Sequence, residues 1–288
     1  MLVILGYIIV LASVLGGFAL AGGHLAAIFQ PLELLIIGGA ATGAFITGNS
    51  AKVLKATLKA LPGVLSGSKH SKASYLALMA LLFSLLSKVR KEGMMSIERD
   101  VESPQESPIF SQHPKILADH HLVEFITDYL RLMVSGNLNP MEIENLMDNE
   151  IETHHQEAHA PVGVVQKVGD GLPAFGIVAA VMGVVHTMAS VGLPPAELGL
   201  LIAHALVGTF LGILLAYGFV GPLAGVLEQK VNEATKQLEC VKVTLLASLN
   251  GYAPTVAVEF GRKVLYSTER PSFSELEIHM KQTKAQAR

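Results

Sequence analysis

Residues 1–51 and 168–229 contain neither lysine nor arginine, in a chain of 288 residues that has 21 of them. Charge is scarce throughout: Asp, Glu, Lys and Arg make up 16% of the chain, against 51% hydrophobic residues. An ordinary soluble domain carries about 25% charged residues, so that class is excluded for the chain as a whole. The formal net charge of −3 gives no global basic field that would point to nucleic acid. A single cysteine, Cys240, excludes an internal disulfide, and no paired CxxC suggests zinc; a buried, inert cytosolic thiol is the simplest reading. No nucleophile–base set, metal-ligand spacing or phosphate-binding loop is present. That makes an enzyme the weakest function class, with no catalytic residue, no metal ligand and no cofactor implied.

What fills the charge-free stretches is long apolar runs. Residues 171–227 form an apolar hairpin around a turn at Gly192, Leu193, Pro194 and Pro195, with Glu197 as its only acidic residue. Each run reaches the roughly 20 residues needed to cross a bilayer and lacks the polar face of a soluble amphipathic helix. Residues 2–21 form a first span, expected to stay uncleaved because no basic segment precedes it and a second apolar run follows closely. Leu32 to about Ser50 forms the second, entered at Pro31 and rich in Gly and Ala. The fold class is therefore all-α integral membrane, with four spans and a large helical insertion between spans two and three. The basic residues fall in two blocks, 52–167 and 230–288, both assigned to the cytoplasmic side with both termini. The expected division is 1–51, 52–169, 170–227 and 228–288.

Within the insertion, Pro62, Gly63 and the serines of 61–71 are expected to break regular structure. Tyr75 to about Lys91 reads as a packed Leu- and Met-rich helix rather than a span, because it is short and flanked by charge. Pro104 and Pro108 punctuate a charged stretch, helical patterning returns from Asp119 to Val134, and residues 135–140 make a turn. Asn139 and Pro140 then open a helix through an acidic segment. After the hairpin, residues 228–249 continue the fourth span as one long helix, broken at Asn250–Pro254 and followed by a further helical stretch. The tail from Glu269 is polar, with a mobile end.

Ion transport needs an ionisable or polar group inside the membrane. Glu33, Asp170 and Glu197 read as lying at the ends of spans, which leaves His186, His204, Thr187 and Thr209 within them. Each histidine is either a helix-contact residue or a relay group, and each threonine either bonds its own backbone or lines a path. Gly176, Ala180, Gly183 and Thr187 share one helix face, and Gly208, Gly212 and Ala216 form a small-xxx-small series. These faces suit close packing, within the chain or between subunits. If the chain conducts ions, the carboxylate comes from another chain.

In GDGLPAFGIVAAVMGVVHTM (169–188), AHALVGTFLGILLAYGFVGPLAG (203–225) and NGYAPTVAVEFGRKVLYSTERPSF (250–273), the sequence resembles the MotA family of flagellar stator subunits, over essentially its whole length. The resemblance implies a homopentameric ring around a dimer of single-span MotB in the bacterial inner membrane. MotB would supply the ion-binding aspartate. It implies that Pro173 and Pro222 flank the channel and couple ion passage to movement, and that Thr209 lies near the ion path. It further implies that Arg90 and Glu98 engage the rotor protein FliG. Sodium-driven relatives have threonine where this chain has Ala180. One fewer oxygen ligand disfavours sodium and favours protons. An ExbB/TolQ-like energiser, which would have three spans, and a passive membrane scaffold are the rival expectations.

Overall fold

The computed structural model describes residues 2–68, 70–136 and 139–286, with side chains through residue 283, and no strand occurs among them. The first helices are α1 (Leu2–Leu20), α2 (Leu25–Ile28), α3 (Pro31–Thr47), α4 (Ala51–Leu65) and α5 (Lys72–Glu92). Short helices α6 (Glu98–Glu102), α7 (Pro108–Ser111) and α8 (Pro114–Leu117) lead to α9 (His120–Ser135) and the 49-residue α10 (Pro140–Met188). Beyond the turn come α11 (Pro195–Ile213), a π-helical segment (Leu214–Val220), α12 (Gly221–Leu249), α13 (Pro254–Val264) and α14 (Phe273–Gln286). The chain forms two compact units, Met1–Gly67 with Ala158–Lys230, and Ser68–Glu157 with Val231–Arg288.

The first unit is inside out relative to a soluble protein. No residue of α1 is buried, and large apolar side chains such as Leu5, Ile8, Leu35, Val181 and Ile202 face outward. In lipid that is the favourable arrangement, because every backbone group is satisfied within a helix and the solvent is itself apolar. Its interior is a small cluster around Ile37, Ala41, Leu172, Ala179 and Leu211. The sequence expectation of a break at Pro62 and Gly63 is corrected here: α4 runs through both to Leu65. The Lys230 ammonium donates to the Gly63 carbonyl at 2.5 Å and the Ser66 carbonyl at 2.8 Å. It thereby satisfies the carbonyls that a helix C-terminus leaves free.

The second unit has a conventional core. By length and composition α5 is a fifth candidate span, but 50% of its apolar window is buried inside the protein, against none of α1. Leu78, Leu81, Leu82, Leu85 and Leu86 pack with Phe110, Phe125, Ile126, Val241 and Val258. The expectation of a packed helix holds. Asp119 caps α9 by accepting from the Leu122 amide, and Gly136, at φ +67°, ends it. Part of the expected 135–140 turn, residues 137 and 138, lies outside the described residues. Asn139 and Glu142 form a reciprocal cap on α10: Asn139 Oδ1 accepts from the Glu142 amide at 3.0 Å, and Glu142 Oε2 from the Asn139 amide at 2.9 Å. The polar tail from Glu269 folds into α14 as far as Gln286, and its expected mobile end, residues 287 and 288, lies outside the described residues. In α14, Leu276 and Met280 are buried in the core, Ser272 and Glu275 cap its start, and Lys72 pairs with Glu275 at 3.2 Å.

Candidate functional site

The two helices of the apolar hairpin touch backbone to backbone. A Cβ built on Gly176 would lie 2.7 Å from the Gly208 carbonyl oxygen, and one on Gly212 would lie 2.7 Å from that of Leu172. Gly183 sits against Ala205, and Gly208 against Ala179 and Ala180. Glycine is required at this crossing because any side chain would push the helices apart. The small faces of residues 176–187 and 208–216 are thus used within the chain, one of the two arrangements the spacing allowed. Thr187 is buried and donates to the Gly183 carbonyl at 2.9 Å, the back-bonded option for a membrane threonine.

Ala180 is buried at this crossing, and Thr209, next to Gly208, is half-buried. The prolines stand at different levels: Leu172, the neighbour of Pro173, meets Gly212 at the crossing, whereas the level of Pro222 is matched on α10 by Gly169. A Cβ on Gly169, one turn before Pro173, would be 3.5 Å from the amide nitrogen of Gly221, the neighbour of Pro222. Pro173 is accommodated inside α10 without ending it. Pro222 lies two residues beyond the end of the π-helical segment, and the Gly221 N–H between them bonds the Ala216 carbonyl, five residues back. A proline ring crowds the carbonyl four residues earlier and supplies no N–H, so a locally wider helix accommodates it. Tyr7 of α1 donates its hydroxyl to the Phe219 carbonyl at 2.9 Å, and the two rings lie 4.8 Å apart. That bond satisfies a carbonyl in the irregular stretch, and nothing in the sequence around Tyr7 marked it.

The sequence places Glu33 at the outer end of its span. Its backbone is in the first turn of α3, but its carboxyl lies at the hairpin crossing. A Cβ on Gly208 would be 2.8 Å from Glu33 Oε2, and one on Gly183 would be 3.6 Å from Oε1.

Arg90 and Glu98, in the second unit, are exposed on either side of a sharp reversal. Gly93, at φ +88°, turns the chain where α5 ends, and residues 94–97 form a 3₁₀ turn whose Ile97 is buried. Arg90 stands in the last turn of α5, where a cation is favoured by the helix dipole. Beneath them, buried Asp100 accepts from Lys88 at 2.7 Å and from the Ser107 hydroxyl at 2.6 Å. The Lys88 bond ties α6 to α5, and the Ser107 bond ties it to the start of α7, so the elements that carry Arg90 and Glu98 are joined beneath the reversal. Sequence reasoning missed Asp100 because its neighbours Arg99 and Glu102 look the same on paper. Cys240 is fully buried, and burial pushes its thiol pKa up to about 12, as its inert reading required. Among the described residues no group of three or more His, Cys, Asp or Glu could hold a metal ion.

Long apolar helices with an outward apolar surface, a glycine-tight hairpin and one carboxyl at its crossing define a multi-span membrane subunit. The MotA/TolQ/ExbB proton channel family model matches residues 118–240, and the motility protein A N-terminal model matches residues 4–93. Motility protein A of Salmonella typhimurium is 61% identical over 98% of this chain and 95% of its own length. That of Escherichia coli is 61% identical over 99% and 96%, and the chemotaxis protein LafT of Vibrio parahaemolyticus is 39% identical over 95% and 96%. The chain belongs to the motility protein A family, and part of it matches the MotA/TolQ/ExbB proton channel family. In fold it is similar to the C. jejuni MotAB structure (TM-score 0.78, 21% identity, 94% of this chain and 98% of that one). It is likewise similar to the flagellar MotAB stator complex of Bacillus subtilis (TM-score 0.75, 23% identity, 96% and 98%).

Proposed function

We propose that the chain forms a homopentameric ring around a MotB-like single-span partner in the bacterial inner membrane and converts proton flow into torque on a rotor. Both blocks of basic residues and both termini lie on the cytoplasmic side, following the positive-inside asymmetry of the sequence. The observation that carries the reading is near full-length 61% identity to motility protein A, joined to a hairpin whose two helices meet through Gly176, Gly208 and Gly212.

In this reading protons enter from the periplasmic side, bind the partner's carboxylate and leave past spans three and four. Each unit charge crossing about 100 mV releases roughly 2.3 kcal/mol. Ala180 and Thr209 line the path, and the methyl of Ala180 withholds the oxygen that a sodium ion would need on losing water. Pro173 and Pro222 act as the mechanical joint: each interrupts a helix bond beside Gly169 and Gly221, so small changes in the partner's charge bend the inner ends of the hairpin. Arg90 and Glu98 meet charged residues of the rotor protein FliG, and their exposure at a rigidly held reversal suits that role. Lipid covers the outward apolar side chains, nucleic acid has no place in the cycle, and the chain acts as a mechanical subunit rather than an enzyme. The test is motility in a stator-deleted cell. The wild-type chain restores swimming and Pro173→Ala, inserted at equal level, abolishes it. Normal swimming by that variant would remove Pro173 from the coupling.

A further inference from the structure

Glu33 is the only acidic residue among residues 1–51. Its Oε2 is buried and has no hydrogen-bond partner among the described residues. Two glycines make the room for it: a Cβ on Gly208 would lie 2.8 Å from Oε2, and one on Gly183 would lie 3.6 Å from Oε1. Gly183 is five residues before the end of α10 and Gly208 thirteen after the start of α11, roughly 8 and 20 Å along those helices. The carboxyl therefore sits within the span rather than in the outer loop. An ionised carboxylate held there without a donor is strongly disfavoured, and binding a proton removes that penalty. The titratable side chains of the elements packed around it are His186, one turn beyond Gly183, His204, one turn before Gly208, Glu197 in the first turn of α11, and His24 at the start of α2. None of them hydrogen-bonds Glu33 Oε2.

We propose that Glu33 is a proton-binding site belonging to this chain, on the outer side of the path; the proposal rests on the stator reading above. A hydronium ion at the outer face gives its proton to the Glu33 carboxylate and leaves as water. The neutral carboxyl fits the closed crossing of α3, α10 and α11. When the crossing loosens, the same proton passes to a water or carboxylate nearer the cytoplasm, and Glu33 returns to its ionised form. Glycine at positions 183 and 208 serves this site as well as helix packing.

The experiment uses the full complex with its partner, in cells and in reconstituted vesicles. Glu33→Gln fills the same space but cannot ionise; Glu33→Asp keeps the acid on a shorter stem. Infrared difference spectra across a shift of external pH are expected to show a protonated-carboxyl band in the wild type that is lost in Glu33→Gln and displaced in Glu33→Asp. Proton flux should fall at least about tenfold in Glu33→Gln at equal membrane abundance, and swimming speed should lose part of its dependence on external pH. A residue that only packed would leave that pH profile and the band unchanged. An unaltered band in Glu33→Gln, or wild-type flux and pH profile, overturns the proposal. If Glu33→Gln does not accumulate, a displaced band in Glu33→Asp supports the proposal and an undisplaced one overturns it. Failure of the wild-type chain to restore swimming would count against the stator reading instead, while the band would still decide Glu33.

Discussion

Asp100 accepts hydrogen bonds from Lys88 and Ser107 while itself only 3% exposed. Removing one member of a buried, hydrogen-bonded pair leaves the other unsatisfied. Because the Lys88 side chain is 31% exposed and can reach water, Asp100→Ala should cost about 2 kcal/mol rather than the 3–5 of a fully buried pair. In a thermal melt of the purified protein that is a drop of about 4–8 °C for the second unit. Motility should fall with it, since Lys88 and Asp100 join the helices that carry Arg90 and Glu98. A second residue-scale prediction concerns His154, stacked on His121 with ring centroids 4.1 Å apart. Burial, then the neighbouring His121, lowers the His154 pKa from 6.5, opposed by Asp119 and Glu157. A histidine whose folded pKa is depressed binds fewer protons folded than unfolded, so stability rises with pH between the two values. The second unit should therefore lose stability as pH falls below about 6.5. Hydrogen exchange in α9 and in residues 140–157 should show the loss, and His154→Phe should flatten it.

Among the elements, the π-helical segment before Pro222 is held by α1 as well as by its own helix. Gly218 lets Val10 approach to within 3.1 Å of where its Cβ would be, and the Tyr7 hydroxyl bonds the Phe219 carbonyl. Tyr7→Phe should destabilise the membrane unit by about 0.6–1 kcal/mol, seen as a small fall in the melting temperature of the detergent-purified complex with insertion unchanged. Most of the helices were legible in the sequence, because a 20-residue apolar run or a Leu-rich periodic stretch admits few alternatives. Caps at Asp119 and Asn139 and the stop at Gly251 (φ +85°) follow directly from residue type. Three features were not legible. The helix through Pro62 depends on Lys230 reaching its last carbonyls from far along the chain. The tail folds because Leu276 and Met280 find α5, a contact that local polarity hides. The depth of the Glu33 carboxyl depends on two glycines more than 140 residues away, so its position beside Pro31 suggested only a span end. The small-residue faces were visible as spacing, but only the packed structure decides which surface they meet.

At the scale of the whole molecule, the proposed stator uses the membrane unit as one wall of a proton path that is completed by another chain, and the second unit as a rigid presenter of Arg90 and Glu98. Its own carboxyl at Glu33 does not replace the partner, because a single site at one level of the span cannot carry a proton across the whole membrane. Vesicles containing this chain alone, its MotB-like partner alone, or both, and loaded with a pH-sensitive dye, test this most directly. The account predicts proton influx only when both chains are present, with no requirement for external sodium. Equal influx with this chain alone, or influx that disappears when sodium is withdrawn, would contradict it.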